Sequence, residues 1–497
     1  MNRIFGTESE YALVHRPRES GSESAPHVEK LLDHQERISA LLLSAMGTLG
    51  VPAAGEFLGN GGRLYGDRGG HPEYATPECR SVSELVAHEI AGDRLVRDLT
   101  EIVNTRQESL RLHIYKNNVD FHGHTYGGHE NYLVTPQGLS AISRLLPFLV
   151  TRQIYAGSGK VMTVRQDGEF GFQIGQRADF FDCTYSDRTS GVRGIINIRK
   201  REITRSDQSR RLHLIIGDSN MSPYAIGLKI GTLALMLRVL EAGGPNDDLE
   251  LDAPAAALKA ISRDIHANVA ARRHGRHITC SAIEIQSICL ENALQFYAAN
   301  PPDPEETAWL RHWEHVLCGL RQLKIRQPEM VLERDPADLR RKIDWILKLW
   351  LLDRSRSKGA DESRLKTLDI VYHDLNPATG AFERCLSLDM VERLISETDI
   401  GNARIDPPQG TRARLRGMIV KTAFGKNVTV DVENWERIRV RARLDSREAK
   451  HCFHRFKRDV NRMDICLDDP FMAEHPKIME DLKNFIAKSG EYNVVEC

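Results

Sequence analysis

The sequence predicts an α+β fold, an antiparallel sheet with one polar face and helices packed on the other, and three observations carry that prediction. Short segments alternating with a period of two are interleaved with amphipathic helical segments in mixed order, not in strict strand–helix repetition. Acids and histidines recur at alternate positions of the strand-like segments, the pattern of a sheet packed on one side only. From 253 to about 354 the periodicity is almost wholly helical, which supplies a covering layer. At 497 residues the chain exceeds the ~250–300 residues over which one core keeps growing, so a large unit with a smaller appendage is expected.

Residues 3–14 (RIFGTESEYALV) alternate as a strand that puts Ile4, Glu8 and Glu10 on one face. The polar run 16–26 reads as a loop, and 27–49 as an amphipathic helix through Ile38, Leu41, Leu42 and Met46. Residues 55–66 (GEFLGNGGRLYG) form a glycine-punctuated turn into a short strand, followed by a helix over 82–106. Strands are predicted at 112–116, 129–135, 193–199 and 211–217, with helices at 139–154 and 224–241. The segment 405–417 (IDPPQGTRARLRG) is a proline-marked basic connector. Beyond it lie short strand-like runs, the basic run HCFHRFKR and a terminal helix near 476–488, so the expected division is 1–417 and 418–497.

The bulk numbers exclude several classes. With 68 Lys+Arg against 69 Asp+Glu, the molecule as a whole has no electrostatic reason to seek nucleic acid or an anionic membrane. Nine cysteines form no CxxC and are odd in number, which argues against a disulfide framework or structural zinc and for reduced thiols in the cytoplasm. The first residues, MNRIFGTESEYALV, are broken by Glu8 and Glu10 and match neither a signal peptide nor a membrane span, and no uninterrupted run of eighteen apolar residues follows. A cytoplasmic protein without nucleic-acid or membrane partners, and a monomer, is the expectation.

The residues able to meet on the polar face are Glu8, Glu10, Tyr65, Asp67, His71, Glu73, Glu78, His129, Glu130 and His213. Several carboxylates with some histidine and no thiolate suit Mg²⁺ or Mn²⁺ better than zinc. ATP-dependent activation of a carboxylate needs such ions, plus cations to hold the transferring phosphoryl group. Arg152, Lys160, Arg177, Arg199, Arg210 and Arg211 are candidates for that role. GSGK at 157–160 lacks the spacing and the Ser/Thr of a Walker A loop. By itself Glu8–Ser9–Glu10 is the ordinary polar face of a strand, and its company gives it meaning.

That company includes specific text. GTESEY (6–11), NGGRLYGDRGGHPEYATPEC (60–79), YKNNVD (115–120), TYGGHENYL (125–133), QRAD (176–179), RRLHLIIGDSNMS (210–222), YHDL (372–375) and PPQGTRARLRG (407–417) follow one another in an order that resembles the Pup ligase and depupylase/deamidase family. These are carboxylate-amine ligases related to glutamine synthetase. The resemblance implies a glutamine-synthetase-like curved antiparallel cradle backed by helices, with a small C-terminal domain. It implies ATP and Mg²⁺ as cofactors, and metal ligands at Glu8, Glu10, Tyr65, Glu73, His129 and His213. The catalytic carboxylate falls on Asp67. Arg199 matches an arginine expected near the nucleotide, where Arg177 and Arg211 are further candidates, with Arg412, Arg414 and Arg416 closing from the other side. The implied partners are a small disordered Pup-like modifier and substrate proteins that offer a lysine.

Only 49 residues separate Glu10 from Asn60, the compact spacing of the ligase branch, and HPEYATPEC, DSNMS and TRARLRG also read as ligase-like. GTESEY, YKNNVD and RGIIN stand closer to the depupylase wording. At 197–204 the run NIRKREIT keeps only Asn197 and Arg199 of the family's pattern and replaces two acids and a histidine. The leading reading is a ligase that phosphorylates a C-terminal Glu of the modifier and joins it to lysine. A depupylase or deamidase, and a non-catalytic modifier-binding homologue, are the alternatives. An acidic modifier is expected to dock on the helical region 253–354 and the basic stretch 437–458, where Cys452, His451 and His454 read as a solvated face rather than a metal cluster.

Overall fold

The computed structural model describes residues 3–17, 28–67, 69–107, 110–162, 171–188, 191–197, 209–244, 248–326, 330–442 and 462–491. Its centre is a seven-stranded antiparallel sheet in the spatial order Arg210–Leu214, Gly128–Val134, Phe5–Glu10, Pro72–Ala75, Arg63–Gly66, Phe57–Leu58 and Ala53–Ala54. Burial alternates strictly along Phe5–Glu10 and Gly128–Val134, as a half-buried sheet requires. Phe5, Thr7, Ser9, Glu130 and Tyr132 turn inward, whereas Glu8, Glu10, His129 and Asn131 turn to the open face. Register then does the assembling: Glu8 lies opposite His129, Glu10 opposite Glu73, Glu73 opposite Tyr65, and His213 opposite Asn131.

The inward face is covered by two helices, Val82–Arg106 and Pro223–Glu241. The first is capped by Ser81, whose side chain accepts from the Glu84 N–H, and its apolar stripe through Leu85, Val86, Leu95, Val96 and Leu99 is fully buried. The second is long and apolar enough to cross a membrane by composition, but 94% of that stretch is buried inside the protein. The described cysteines, Cys79, Cys183, Cys280, Cys289, Cys318, Cys385 and Cys466, are all free thiols.

Two stretches differ from the sequence expectation. The predicted helix over 139–154 is a chain of short pieces, Pro136–Ser140, Ile142–Leu145, Leu146–Thr151 and Gln153–Ala156. Pro147 lies in the first turn of the third piece, where its missing N–H costs nothing, so it begins a helix where a continuous one was expected. The region 253–354 is interrupted by a hairpin, Asn268–Arg273 paired with Arg276–Ser281. His274 and Gly275 both take positive φ (49° and 73°), the two-residue turn whose twist matches paired strands.

The C-terminal cluster gathers Leu415, Ile419, Ala423, Val428, Ile438, Val440, Ile465, Leu467 and Leu482 around three strands and the helix Pro476–Glu491. Its first contributor is the helix Arg412–Ala423, which runs straight through position 417. The remainder of the basic stretch, with His451, Cys452 and His454, lies outside the described residues.

Candidate active site

The open face of the sheet forms the floor of a cleft of about 1240 Å³. Glu8, Glu10, Glu73, His129 and His213 converge there in two groups whose ligand atoms lie within 4.8 Å of one another: Glu8, His129 and His213, and Glu10, Glu73 and His129. His129 is common to both. Its Nδ1 is 3.1 Å from Glu8 Oε2 and its Nε2 is 3.9 Å from Glu10 Oε1. The histidine rings meet edge to face at 5.1 Å.

Neighbours fix these side chains. Asn131 donates to Glu8 Oε1 at 3.0 Å, so its Oδ1 is an acceptor, and of the two contacts of His213 Nδ1, Asn131 Oδ1 at 2.8 Å and Arg211 Nη2 at 3.2 Å, the shorter assigns it as the donor to Asn131. That leaves His213 Nε2 with its lone pair for an ion. Glu10 Oε2 accepts the Gly127 N–H at 2.6 Å. A Cβ on Gly127 would lie 2.3 Å from His129 Nε2 and 2.7 Å from Glu10 Oε1, so only glycine lets the backbone pass this close. Tyr65 lies under the Arg63 guanidinium, 4.1 Å from ring centroid to Cζ, and its hydroxyl is hydrogen-bonded to Glu73. Burial and the charges of Glu8 and Glu73 raise the Tyr65 phenol, which stays protonated.

The electrostatics are lopsided. Burial opposes ionisation of Glu8, but Arg211, His129 and His213 hold it well below the usual carboxylate range, with Arg211 Nη2 at 2.9 Å. Glu73 goes the other way, pushed well up by burial and by the charges of Glu8 and Glu10. Asp67 is also raised by burial and by Glu10, against the opposing pull of the His71 and Gly69 N–H groups, which donate to its Oδ1 at 2.7 and 2.8 Å. Carboxylates crowded with too little positive charge are what a divalent cation relieves, and an oxygen-rich set with histidine suits Mg²⁺ or Mn²⁺.

A second, smaller pocket of about 120 Å³ opens on the far side of Glu8 and Arg211, lined by Phe5, Thr76, Tyr132, Arg412, Trp435 and Pro470 among others. Trp435 and Pro470 come from the C-terminal unit. Thr76 lies within the family text HPEYATPEC but was given no role there, and nothing near Trp435 singled it out, because their meeting follows from the docking of two distant segments.

Of the sequence candidates, Glu8, Glu10, Tyr65, Asp67, Glu73, His129, Arg177, Arg211 and His213 line the cleft together. His71 stands behind Asp67, with its ring on Tyr126 at 4.7 Å. Glu130 faces inward and is bound by both terminal nitrogens of Arg152 at 2.9 and 2.6 Å, which removes both residues from the site. Lys160 sits 3.6 Å from Asp179, and Ser158 of the GSGK run is buried, donating to the Ser219 carbonyl at 2.6 Å. Glu78 is the hinge of the C-terminal contact: Arg412 Nε donates to it at 2.8 Å, and Arg416 pairs with it as well. Arg412 also lines the small pocket. Arg414 instead pairs with Glu474 and lines neither cavity, because its helical position turns it away from Arg412. Arg199 and its altered neighbours lie outside the described residues.

Comparison with known proteins identifies the family. The model of the Pup-ligase protein family matches residues 3–439. A Pup–protein ligase of Jonesia denitrificans is 37% identical over 443 residues, spanning 86% of this chain and 91% of its own. One from Paenarthrobacter aurescens is 35% identical, spanning 94% and 99%. The ligase PafA solved in complex with the prokaryotic ubiquitin-like protein Pup superposes with a TM-score of 0.80 at 30% identity, covering 98% of this chain and 93% of that one. PafA in complex with ADP gives 0.72 at 28% identity, covering 95% and 96%. The chain belongs to the Pup-ligase family.

Proposed function

We propose that the cleft joins Pup to lysines of other proteins in two half-reactions driven by ATP. The chain is an ATP-dependent ligase, and the observation that carries the reading to these atoms is the pairing of two carboxylate–histidine groups with a base, Asp67, in the cleft and a separate small pocket that shares Glu8 and Arg211 with it. The nucleotide's base and ribose enter the small pocket against Thr76, Arg412 and Trp435, and its phosphates extend past Glu8 and Arg211.

Mg²⁺ would be held by Glu8, His129 and His213 on one side and by Glu10, Glu73, His129 and the neutral Tyr65 oxygen on the other, where it neutralises phosphate charge. In the first half-reaction an oxygen of the modifier's C-terminal glutamate side chain bonds to the γ-phosphorus, the bond to the bridging oxygen breaks, and its electron pair leaves with ADP. In the second, a lysine amine attacks the acyl carbonyl, Asp67 takes the amine proton, and phosphate departs with the carbonyl–oxygen electron pair, leaving an isopeptide bond. The raised Asp67 carboxyl, anchored through Oδ1 by two N–H groups, keeps its other oxygen for that proton.

The free thiols support a cytoplasmic setting. The smaller unit is better drawn from Arg412, because the helix from that residue belongs to the C-terminal core. The test is incubation with ATP, MgCl₂ and Pup ending in Glu or in Gln, followed by intact mass measurement. Conjugates formed only from the Glu form support the ligase. Conversion of the Gln form to Glu without conjugation replaces it with a deamidase.

A further inference from the structure

The cleft carries several arginines, and their surroundings differ. Arg211 is committed to Glu8 and Asn131 at 2.9 and 2.8 Å. Arg63 pairs with Glu56. Arg188 is exposed and Arg193 half-buried at the mouth. Arg177 is buried, at 3% exposure, and has no carboxylate partner among the described residues. Its Nε donates to Thr125 Oγ1 at 3.3 Å and its Nη1 to the Ile215 carbonyl at 2.5 Å, while Nη2 has no acceptor among the described residues. Its backbone is held as firmly: Asp218 accepts the N–H groups of Arg177, Gln176 and Ser158. Glu10 and Asp218 favour the cation through their charges but make no direct contact with the guanidinium, and a buried guanidinium whose hydrogen bonds go only to neutral oxygens is well placed to receive an arriving anion.

Which anion follows from where Arg177 sits. The nucleotide pocket borders Glu8 and Arg211 and touches none of Glu10, Asp67, Tyr126 or Arg177, all of which line the other part of the cleft. In-line phosphoryl transfer places the acceptor oxygen opposite the departing ADP. Resting on the function proposed above, we infer that Arg177 binds the reacting side-chain carboxylate of the modifier's last residue, and not the nucleotide, and thereby selects a carboxylate over a carboxamide. The guanidinium fork offers a charge-assisted hydrogen bond to one carboxylate oxygen while the other bonds to phosphorus. A carboxamide brings no charge to the buried cation and leaves it uncompensated.

The test separates the two ends of the cleft. Arg177→Gln and Arg177→Lys are assayed for Pup-dependent ADP formation and for ADP affinity by fluorescent-nucleotide titration, with thermal melting to confirm folding. The expected result for Arg177→Gln is a loss of about 100-fold or more in kcat/KM for Pup with ADP affinity changed less than about 3-fold. Arg177→Lys recovers part of the loss, as does guanidinium ion added to Arg177→Ala. An ADP affinity that falls in step with turnover would assign Arg177 to the nucleotide, and unchanged kcat/KM for Pup would remove it from the site. Either result overturns the inference. Wild-type protein that forms no ADP with Pup would instead defeat the ligase function itself, and with it the occupant assigned to Arg177.

Discussion

On strand Gly128–Val134, Glu130 and His129 are neighbours in sequence and opposites in circumstance. Glu130 turns inward, where Arg152 grips it with two hydrogen bonds and Tyr132 donates a third at 2.7 Å. On the same inward face Glu89 is met by Thr7 and by Lys116, itself wholly buried. On the open face, Glu10, Glu73 and Asp67 stand together with only partial compensation, and burial and the charge of Glu10 raise the pKa of both Glu73 and Asp67. The inward face spends its charges on holding helices to the sheet. The open face leaves negative charge unanswered, which weakens the ion-free fold and prepares a place for cations.

Changes on the two faces should therefore separate activity from stability. The largest expected effect is on the open face: Asp67→Asn should lower the rate of conjugate formation by about 10²–10⁴-fold with nucleotide affinity preserved, read by single-turnover kinetics and ADP titration. Retained turnover would take the proton-accepting role away from Asp67. On the inward face, Arg152→Met should cost about 3–5 kcal/mol by stranding Glu130 as an unpaired buried charge, seen as a large drop in melting temperature. A small drop would mean that the contrast between the faces is weaker than drawn.

An intermediate effect belongs to the contact between the two units. Burial raises Glu78, but Arg416 and Arg412 outweigh it and hold the carboxyl down to about 2. A carboxylate depressed in the folded state adds stability that is full above its unfolded value of 4.5 and is lost as pH falls towards about 2. The linked stabilisation is on the order of 3 kcal/mol. The hydrogen-exchange protection factors at Val428–Val432, taken against the intrinsic rate at each pH, should therefore fall across that acid window, and Glu78→Gln should flatten the dependence. The smallest effect expected is Glu73→Gln, which should raise the melting temperature in EDTA by relieving repulsion, worth about 1 kcal/mol, and should shrink the stabilisation added by MgCl₂. A lower melting temperature in EDTA would show that Glu73 is already satisfied without an ion.

Much of the cleft was legible as text. Alternation put Glu8 and Glu10 on one face, and the segments carrying Tyr65, His129 and His213 were read as strands, whereas the strand Pro72–Ala75 was not read from pattern, and Glu73 and Asp67 were reached only through the family text. The helix over 82–106 matches its observed bounds, Val82–Arg106, because a Ser81 cap and a continuous apolar stripe are both local signals. Glu130 and Arg152 were misplaced for an equally physical reason. Both are polar, and a list of polar residues does not say which side of a strand is buried until the covering helices are in place. The hairpin at 268–281 was hidden because a His–Gly turn is a weaker signal than the helical periodicity around it.

What the sequence determined by itself was everything carried by period and spacing: which residues share a strand face, where helices begin, and the family text that runs from Gly6 to Gly417. What only the tertiary structure decided was partnership. Arg177 and Arg152 are both arginines in the same half of the chain, yet one meets Glu130 at 2.6 Å and the other meets no described carboxylate. Trp435 and Arg412 reach Thr76 only because the C-terminal unit docks on Glu78. A side chain's type sets what it can bind, but the free energy of a buried charge depends on the atoms within a few ångströms, and those come from segments that no local pattern brings together.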